Sequence, residues 1–364
     1  MKKSKILFIL HIPPPIHGSS IVGKQISESK VINSTFDCRY INLSTSDKLD
    51  DIGKKAYSKL FRYISILWRV FKSLLIWKPD LFYIAITAKG PAFYKDATIL
   101  ILAKMFRVNL LYHFHNKGVS SRHNNLFDNL LYRLVFKNAK IILLSDHLFT
   151  DIKKYVSEKM VFYCPNGVPE KPLFLIQNSD KKSCEILFLS NLFESKGLFI
   201  LLDACKILIN KGVKFHCKIV GGGGDIPEKY FYGKILEENL HTNLTYLGAR
   251  YNGEKESIIN NSDILVHPTY NDCFPLVLLE AMQYSKPIVS TFEGGIPDIV
   301  DDEITGFLVP RRDAVSLAEK LEILIKDASL RKKMGEAGRL KFEKEFTVDK
   351  FEKRLLEILQ KVID

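Results

Sequence analysis

Short apolar runs rich in Ile, Val, Leu and Phe alternate along this chain with longer segments of helical period, and the pattern occurs twice. The first set of runs covers 5–10, 38–43, 81–85, 109–114, 141–144 and 161–163. The second covers 185–189, 215–220, 244–247, 264–267, 287–290 and 306–309. Continuous apolar runs are what strands buried on both faces require, and helical connections between them make neighbouring strands parallel. The pattern therefore predicts an α/β fold of two domains, at 1–165 and 184–346, each a parallel sheet with helices on both faces. A length of 364 residues accommodates both. Between the sets, 166–183 holds Pro169, Pro172 and a polar stretch, which reads as a linker. Phe351, Leu355, Leu356, Ile358, Leu359 and Val362 recur at helical spacing, so 347–364 is expected to be an amphipathic helix packing back on the first domain.

Several classes of protein are excluded by what the chain contains. Lys2, Lys3 and Lys5 resemble the start of a targeting segment, but the apolar stretch 6–10 runs into His11 and Pro13-Pro14-Pro15. That break suits a buried first strand followed by a loop, not a signal peptide or a membrane helix. The six cysteines are scattered with no C-x-x-C pair, which argues for reduced thiols in the cytosol and against a disulfide framework or a zinc site.

Charge is distributed unevenly. The net charge is +12, yet residues 1–165 carry 26 Lys and Arg against 11 Asp and Glu, while the remainder carries 27 against 30. Such asymmetry concerns partners, which could be nucleic acid, an anionic membrane or a polyanionic substrate. Its local focus is 54–78, where a helical wheel gathers Lys55, Lys59, Arg62, Arg69 and Lys72 on one side and Leu60, Ile64, Leu67, Trp68, Phe71 and Leu75 on the other. The segment reads either as a helix packing its apolar side on the sheet or as one lying at an anionic bilayer. Without a recognition motif, nucleic acid is not expected as a partner.

The sharpest chemical signal is the run from His267 to Met282. A strand ends in a loop, and a helix opens near Pro275 with Asp272 at its entrance and Glu280 about two turns along. Such a start, at Phe274, Pro275, Leu276 and Val277, binds phosphate or sugar oxygens through the backbone N–H groups of its non-proline residues, and an acid on the same helix can accept a ribose diol. An acid near a helix start is also an ordinary cap, and the spacing leaves both open.

This run resembles the E-x7-E region of the family 4 glycosyltransferases, the glycosyl transferases group 1, with Asp272 in place of the first Glu. Further matches follow in order: Ser195-Lys196-Gly197, Gly221-Gly222-Gly223-Gly224, Asp263 to Pro268, Gly294-Gly295-Ile296-Pro297-Asp298 and Thr305 to Val309. The resemblance covers most of 185–310. It implies a GT-B arrangement, two Rossmann-like domains facing an interdomain cleft. The implied activity is transfer of a hexose, with retention, from a nucleotide-diphosphate sugar to a lipid-linked or saccharide acceptor in surface polysaccharide assembly. The protein would be cytoplasmic and peripheral at the inner face of the membrane. Rival readings keep the fold but make it a nucleotide-sugar epimerase or hydrolase, or a binding protein without catalysis.

The resemblance also implies roles. Lys196 would bind the donor's diphosphate, with Asp272 beside it in the catalytic set and Glu280 on the donor. His115 would touch the donor sugar; strand alternation turns His113 and His115 to the same side, and His115 lies nearer the carboxyl edge where open sheets bind ligands. Gly18, in the loop after the first strand, would let backbone approach the donor phosphates. Ser190-Asn191 stands where relatives carry Gly-Arg, so Asn191 would bind donor without a charge, or Arg250 would replace the missing cation. No D-x-D triplet occurs, and neither a metal nor another cofactor is expected.

Overall fold

The computed structural model describes residues 2–14, 16–44, 56–172 and 183–363. The chain forms two units, Met1–Asn166 with Val348–Asp364, and Gly167–Thr347. Among the described residues each unit holds one six-stranded parallel sheet, and each apolar run of the sequence is a strand to within one residue at either end.

In the first unit the strands are β1 (Lys5–Leu10), β2 (Asp37–Asn42), β3 (Leu81–Ile86), β4 (Asn109–Phe114), β5 (Lys140–Leu143) and β6 (Val161–Tyr163), in the order β2-β1-β3-β4-β5-β6. This is the flavodoxin-like order, in which the chain passes from one side of β1 to the other after β2 and leaves a switch point between β1 and β3. All six residues of β3 are buried, which explains its unbroken apolar run. One sheet face carries Ile6, Phe8 and Tyr83 into a cluster with Val22 and Ile26 of the helix Gly18–Glu28 and with Phe351, Leu355 and Leu359 of the helix Val348–Ile363. Lys140 ties that last helix down by donating to the Val362 carbonyl at 3.1 Å.

The opposite face sets Tyr112 and Phe114 against Phe136 of the helix Leu126–Phe136, which packs beside Gly90–Met105, itself beside Ala56–Lys72. Of the two readings of the wheel's apolar side, packing on the sheet does not hold. Ile66, Val70, Leu74 and Trp77 are the buried stripe, whereas Leu60, Ile64, Trp68 and Leu75 are exposed and Leu67 and Phe71 are half-buried. The segment has two apolar stripes, and periodicity does not reveal which one meets the sheet. Lys55 lies outside the described residues. No helix among the described residues is long and apolar enough to cross a membrane.

The second unit contains β7 (Cys184–Leu189), β8 (Phe215–Val220), β9 (Leu244–Tyr246), β10 (Ile264–His267), β11 (Ile288–Thr291) and β12 (Gly306–Val309), in the order β12-β11-β10-β7-β8-β9. This is the Rossmann order, with its switch point between β7 and β10. Ile186, Phe188 and Val266 pack there with Leu201 and Leu208 of the helix Leu198–Asn210 and with Leu317 and Leu321 of Ala314–Lys326. Part of the expected linker is fixed to this unit: Val168 bridges to Thr347, and the Lys171 N–H donates to the Gln283 side chain. Residues 173–182 lie outside the described ones. None of the six cysteines is in a disulfide.

Candidate active site

Loops after β7, β8 and β10 meet at the second unit's switch point, and glycines permit their approach. Gly221 (φ +159°) lies so close that a Cβ would sit 1.8 Å from the Ser190 carbonyl oxygen. At Gly197 (φ +80°) a Cβ would sit 1.9 Å from that of Pro268. The Thr269 hydroxyl and the Tyr270 N–H both donate to the Ser195 carbonyl, at 3.0 and 2.9 Å. Lys196, at the end of the short turn Glu194–Lys196, is thereby delivered to Asp272, with Nζ 2.5 Å from Oδ2. Asn191 serves the loop itself: its Oδ1 accepts from the Gly222 N–H at 3.2 Å. Arg250 donates to the Ala249 carbonyl and lies 3.7 Å from Glu254.

Asp272 is held from three directions. Burial opposes its ionisation, but the His267 Nε2–H, 3.2 Å from Oδ2, and the Lys196 ammonium outweigh it and hold the carboxyl well below the usual carboxylate range. Burial pushes His267 down, so its ring is neutral, and its buried Nδ1 has no hydrogen-bond partner. Beneath them the buried Glu293 accepts the Asp272 N–H at 3.2 Å and pairs with Arg311 at 2.8 Å. Gly294 (φ +54°) brings that turn within 2.4 Å of the Asp272 carbonyl, measured from where a Cβ would stand.

The helix Leu276–Gln283 follows directly, with Pro275 at its N-cap and no side chain capping it, and the first-turn N–H groups of Leu276 and Val277 are of the kind that can bind an anion at a helix start. Phe274 is buried edge-on against Phe346; its side chain belongs to the core and only its backbone is left to the site. Glu280 is apart from the Lys196–Asp272 pair. It binds Lys255 at 2.7 Å and lines a small cavity with Pro169, Lys171 and Tyr284.

The first unit's carboxyl edge has a different character. His113 is buried in β4 and hydrogen-bonded through Nδ1 to the Tyr83 hydroxyl, whereas His115 lies one residue past the strand end with its ring 4.1 Å from that of His113. Asn116 fixes this loop by accepting the Ala88 N–H at 2.8 Å. His17 caps the helix Gly18–Glu28: its Nδ1 accepts from the Ser20 N–H, which leaves Nε2 to carry the proton, and its ring is 5.7 Å from that of His11. Burial, reinforced by His11 and His17, pushes His115 down to about 3. Burial with His17 and Lys95 pushes His11 down to about 4. His17 and His113 are lowered by burial too, so all four rings are neutral near pH 7. Gly18 is exposed, and a Cβ there would meet nothing within 4 Å. It is Gly23 that the fold requires, its Cβ position lying 2.0 Å from the His11 carbonyl oxygen.

Sequence reasoning passed over His11, His17, His267, Glu293 and Arg311. His267 and Glu293 had a usable signal, since one ends a motif strand and the other precedes the Gly294-Gly295 pair. Arg311 had none, because its role depends on a pairing between loops.

Residues 171–341 match the family model of glycosyl transferases group 1. The putative colanic acid biosynthesis glycosyltransferase WcaL of Escherichia coli (strain K12) is 29% identical over 184 residues, 48% of this chain and 45% of that protein. The chain spans about half the length of the curated relatives it matches. Among solved structures, sucrose-phosphate synthase from Thermosynechococcus elongatus superposes with a TM-score of 0.79 at 18% identity, over 99% of both chains. The Anabaena protein HepE in complex with UDP gives 0.75 at 18%, over 98% of this chain and 100% of that one. At such identity the likeness establishes the fold, that of the GT-B glycosyltransferases. Residues 171–341 are therefore a glycosyl transferases group 1 domain.

Proposed function

We propose that the protein is a retaining glycosyltransferase that moves a hexose from a nucleotide-diphosphate sugar to a saccharide or lipid-linked acceptor, in the assembly of a surface polysaccharide. The observation that carries this reading is the Lys196 ammonium, fixed by Asp272 beside an uncapped helix start. The bond from the sugar's anomeric carbon to the diphosphate oxygen breaks with its electron pair going to the diphosphate. The acceptor oxygen bonds to that carbon, and its proton passes to the departing diphosphate. Negative charge thus grows on the departing phosphate, where a preorganised cation and free N–H groups lower the barrier most. Glu280 takes the ribose diol, and the neutral histidine edge takes sugar hydroxyls, with His115 foremost. HepE, the structural neighbour solved with UDP, supports a nucleotide donor, and the colanic acid relative supports a polysaccharide product.

No metal is needed on this reading, because Lys196 and the helix start supply the positive field that a divalent ion gives elsewhere. The setting is the cytoplasmic face of an anionic membrane, where a lipid-linked acceptor is presented. Incubation with a panel of nucleotide sugars, with and without membrane extract, tests the reading by nucleotide-diphosphate release. Acceptor-dependent release that persists in EDTA is expected. Release of free sugar or an epimer without acceptor would replace transfer by hydrolysis or epimerisation.

A further inference from the structure

The segment Ala56–Lys72, continued by Ser73–Trp77, has apolar stripes on opposite sides. The inner one docks on the first unit. The outer one, Tyr57, Leu60, Phe61, Ile64, Trp68 and Leu75, is exposed, Tyr57 by 81% and Phe61 by 71%. These six fall within an arc of roughly 100° on the helical wheel, where a helix covering a sheet ordinarily shows polar residues. Exposed Arg62, Arg69 and Lys72 flank the stripe. In the same helix layer, Leu126–Phe136 turns Leu126, Phe127, Leu130 and Leu134 outward. The unit carrying both has 30 Lys and Arg against 15 Asp and Glu, while the second unit has 23 against 26.

We propose that this outer face is a monotopic membrane anchor. It seats about 5–10 Å into the headgroup and acyl boundary of an anionic leaflet, with Phe61 and Trp68 among the acyl chains and Arg69 and Lys72 on lipid phosphates. Charge complementarity selects the lipid surface. The aromatic and aliphatic stripe converts adsorption, which salt would reverse, into insertion that salt weakens only in part. The inference deepens the membrane part of the proposed function and rests on that part, but not on the transfer chemistry.

The test uses the full chain and vesicles of phosphatidylcholine and phosphatidylglycerol at roughly 3:1. The chain has two tryptophans, of which Trp68 is exposed and Trp77 buried, so emission reports the stripe directly. Expected are co-sedimentation, a blue shift, and quenching by lipids brominated on the acyl chain. Phe61→Ser with Ile64→Ser should weaken partitioning by roughly 100-fold with an unchanged melting temperature. Arg69→Glu with Lys72→Glu should weaken it about tenfold, and only on anionic vesicles. Trp68→Phe should abolish the shift but keep binding. Wild-type protein left in the supernatant, or an emission maximum unmoved by vesicles, overturns the anchor. So does a blue shift that grows with protein concentration in the absence of lipid, which would assign the face to a second copy of this chain. Failure of the nucleotide-sugar panel with vesicle insertion intact would remove the transferase and leave the anchor standing.

Discussion

The two sheets offer ligand edges of opposite electrical design. In the second unit the edge is built from charges fixed in pairs, Lys196 with Asp272 and Glu293 with Arg311, so charge survives burial because a partner is already there. In the first unit four histidines crowd together with no carboxylate partner among the described residues, and desolvation lowers the pKa of each. On the proposed function, an edge of the first kind takes the phosphate whose charge changes during reaction. One of the second kind suits neutral hydroxyls, to which an imidazole offers one donor and one acceptor.

Acid separates the two edges most strongly. A histidine whose folded pKa is depressed contributes stability that is complete above its unfolded value of about 6.5 and is lost as pH falls toward the folded value. His11 acts in this sense between pH 6.5 and about 4, His115 between 6.5 and about 3, and His113, pushed well below its ordinary value by burial, acts in the same direction. Asp96 opposes them. Burial raises its carboxyl to about 7, so the folded form gains a proton in the same window. The histidines outnumber it, so on balance the first unit loses stability as pH falls through this window. The second unit has His267 acting in the same sense, while Asp272, depressed in the fold, loses its contribution only as pH falls below the ordinary carboxylate range. Both tryptophans lie in the first unit, so their fluorescence should report unfolding at milder acid than far-ultraviolet circular dichroism of the whole chain. Coincident transitions would abolish the contrast.

Lys196→Ala tests the charged edge through chemistry. On the proposed function, loss of a fixed cation from the leaving group costs on the order of 2–4 kcal/mol, or about 30- to 1000-fold in turnover, with the fold retained. Single-turnover kinetics with a saturating donor should show the loss in kcat. An unchanged rate in a folded variant would leave the ion pair with a structural role alone.

The strands were legible because an apolar run buried on both faces has few alternatives, and 81–85 or 264–267 could hardly be anything else. The strand order was not. Both domains were read as Rossmann-like, but the first takes the flavodoxin-like order, since the direction in which the chain crosses after β2 leaves no trace in composition. The stripe at Leu60, Ile64 and Trp68 was left with two readings for a related reason: amphipathic period marks faces and does not say what each face meets. At the site, sequence motifs pointed to Lys196, Asp272 and Glu280, but not to the contacts that make them different, Asp272 with His267 and Glu280 with Lys255.

Glu280 defines the far end of the charged edge. It pairs with Lys255 at 2.7 Å, and both side chains are about a quarter exposed. As a ribose acceptor it would act in ground and transition states alike. Glu280→Gln should therefore raise the donor's dissociation constant about tenfold and change kcat by less, as titration calorimetry beside steady-state kinetics would show. An unaltered dissociation constant would confine Glu280 to its contact with Lys255.

The smallest effect is the most selective. Gly197 cannot gain a Cβ without meeting the Pro268 carbonyl, and its φ of +80° is one that L side chains avoid, so Gly197→Ala disturbs the loop that positions Lys196 whether or not a ligand is bound. Gly18 has neither constraint. It starts a helix on the neutral edge, and the space where its Cβ would stand is open. Gly18→Ala should leave thermal stability within about 0.5 kcal/mol of the parent, or slightly above it, since alanine suits a helix better than glycine. Any fall in donor affinity in that variant would then come from the methyl meeting the ligand. If melting temperature and donor binding both match the parent, Gly18 is not where backbone meets phosphate, and the neutral edge would meet its ligand through the histidine rings.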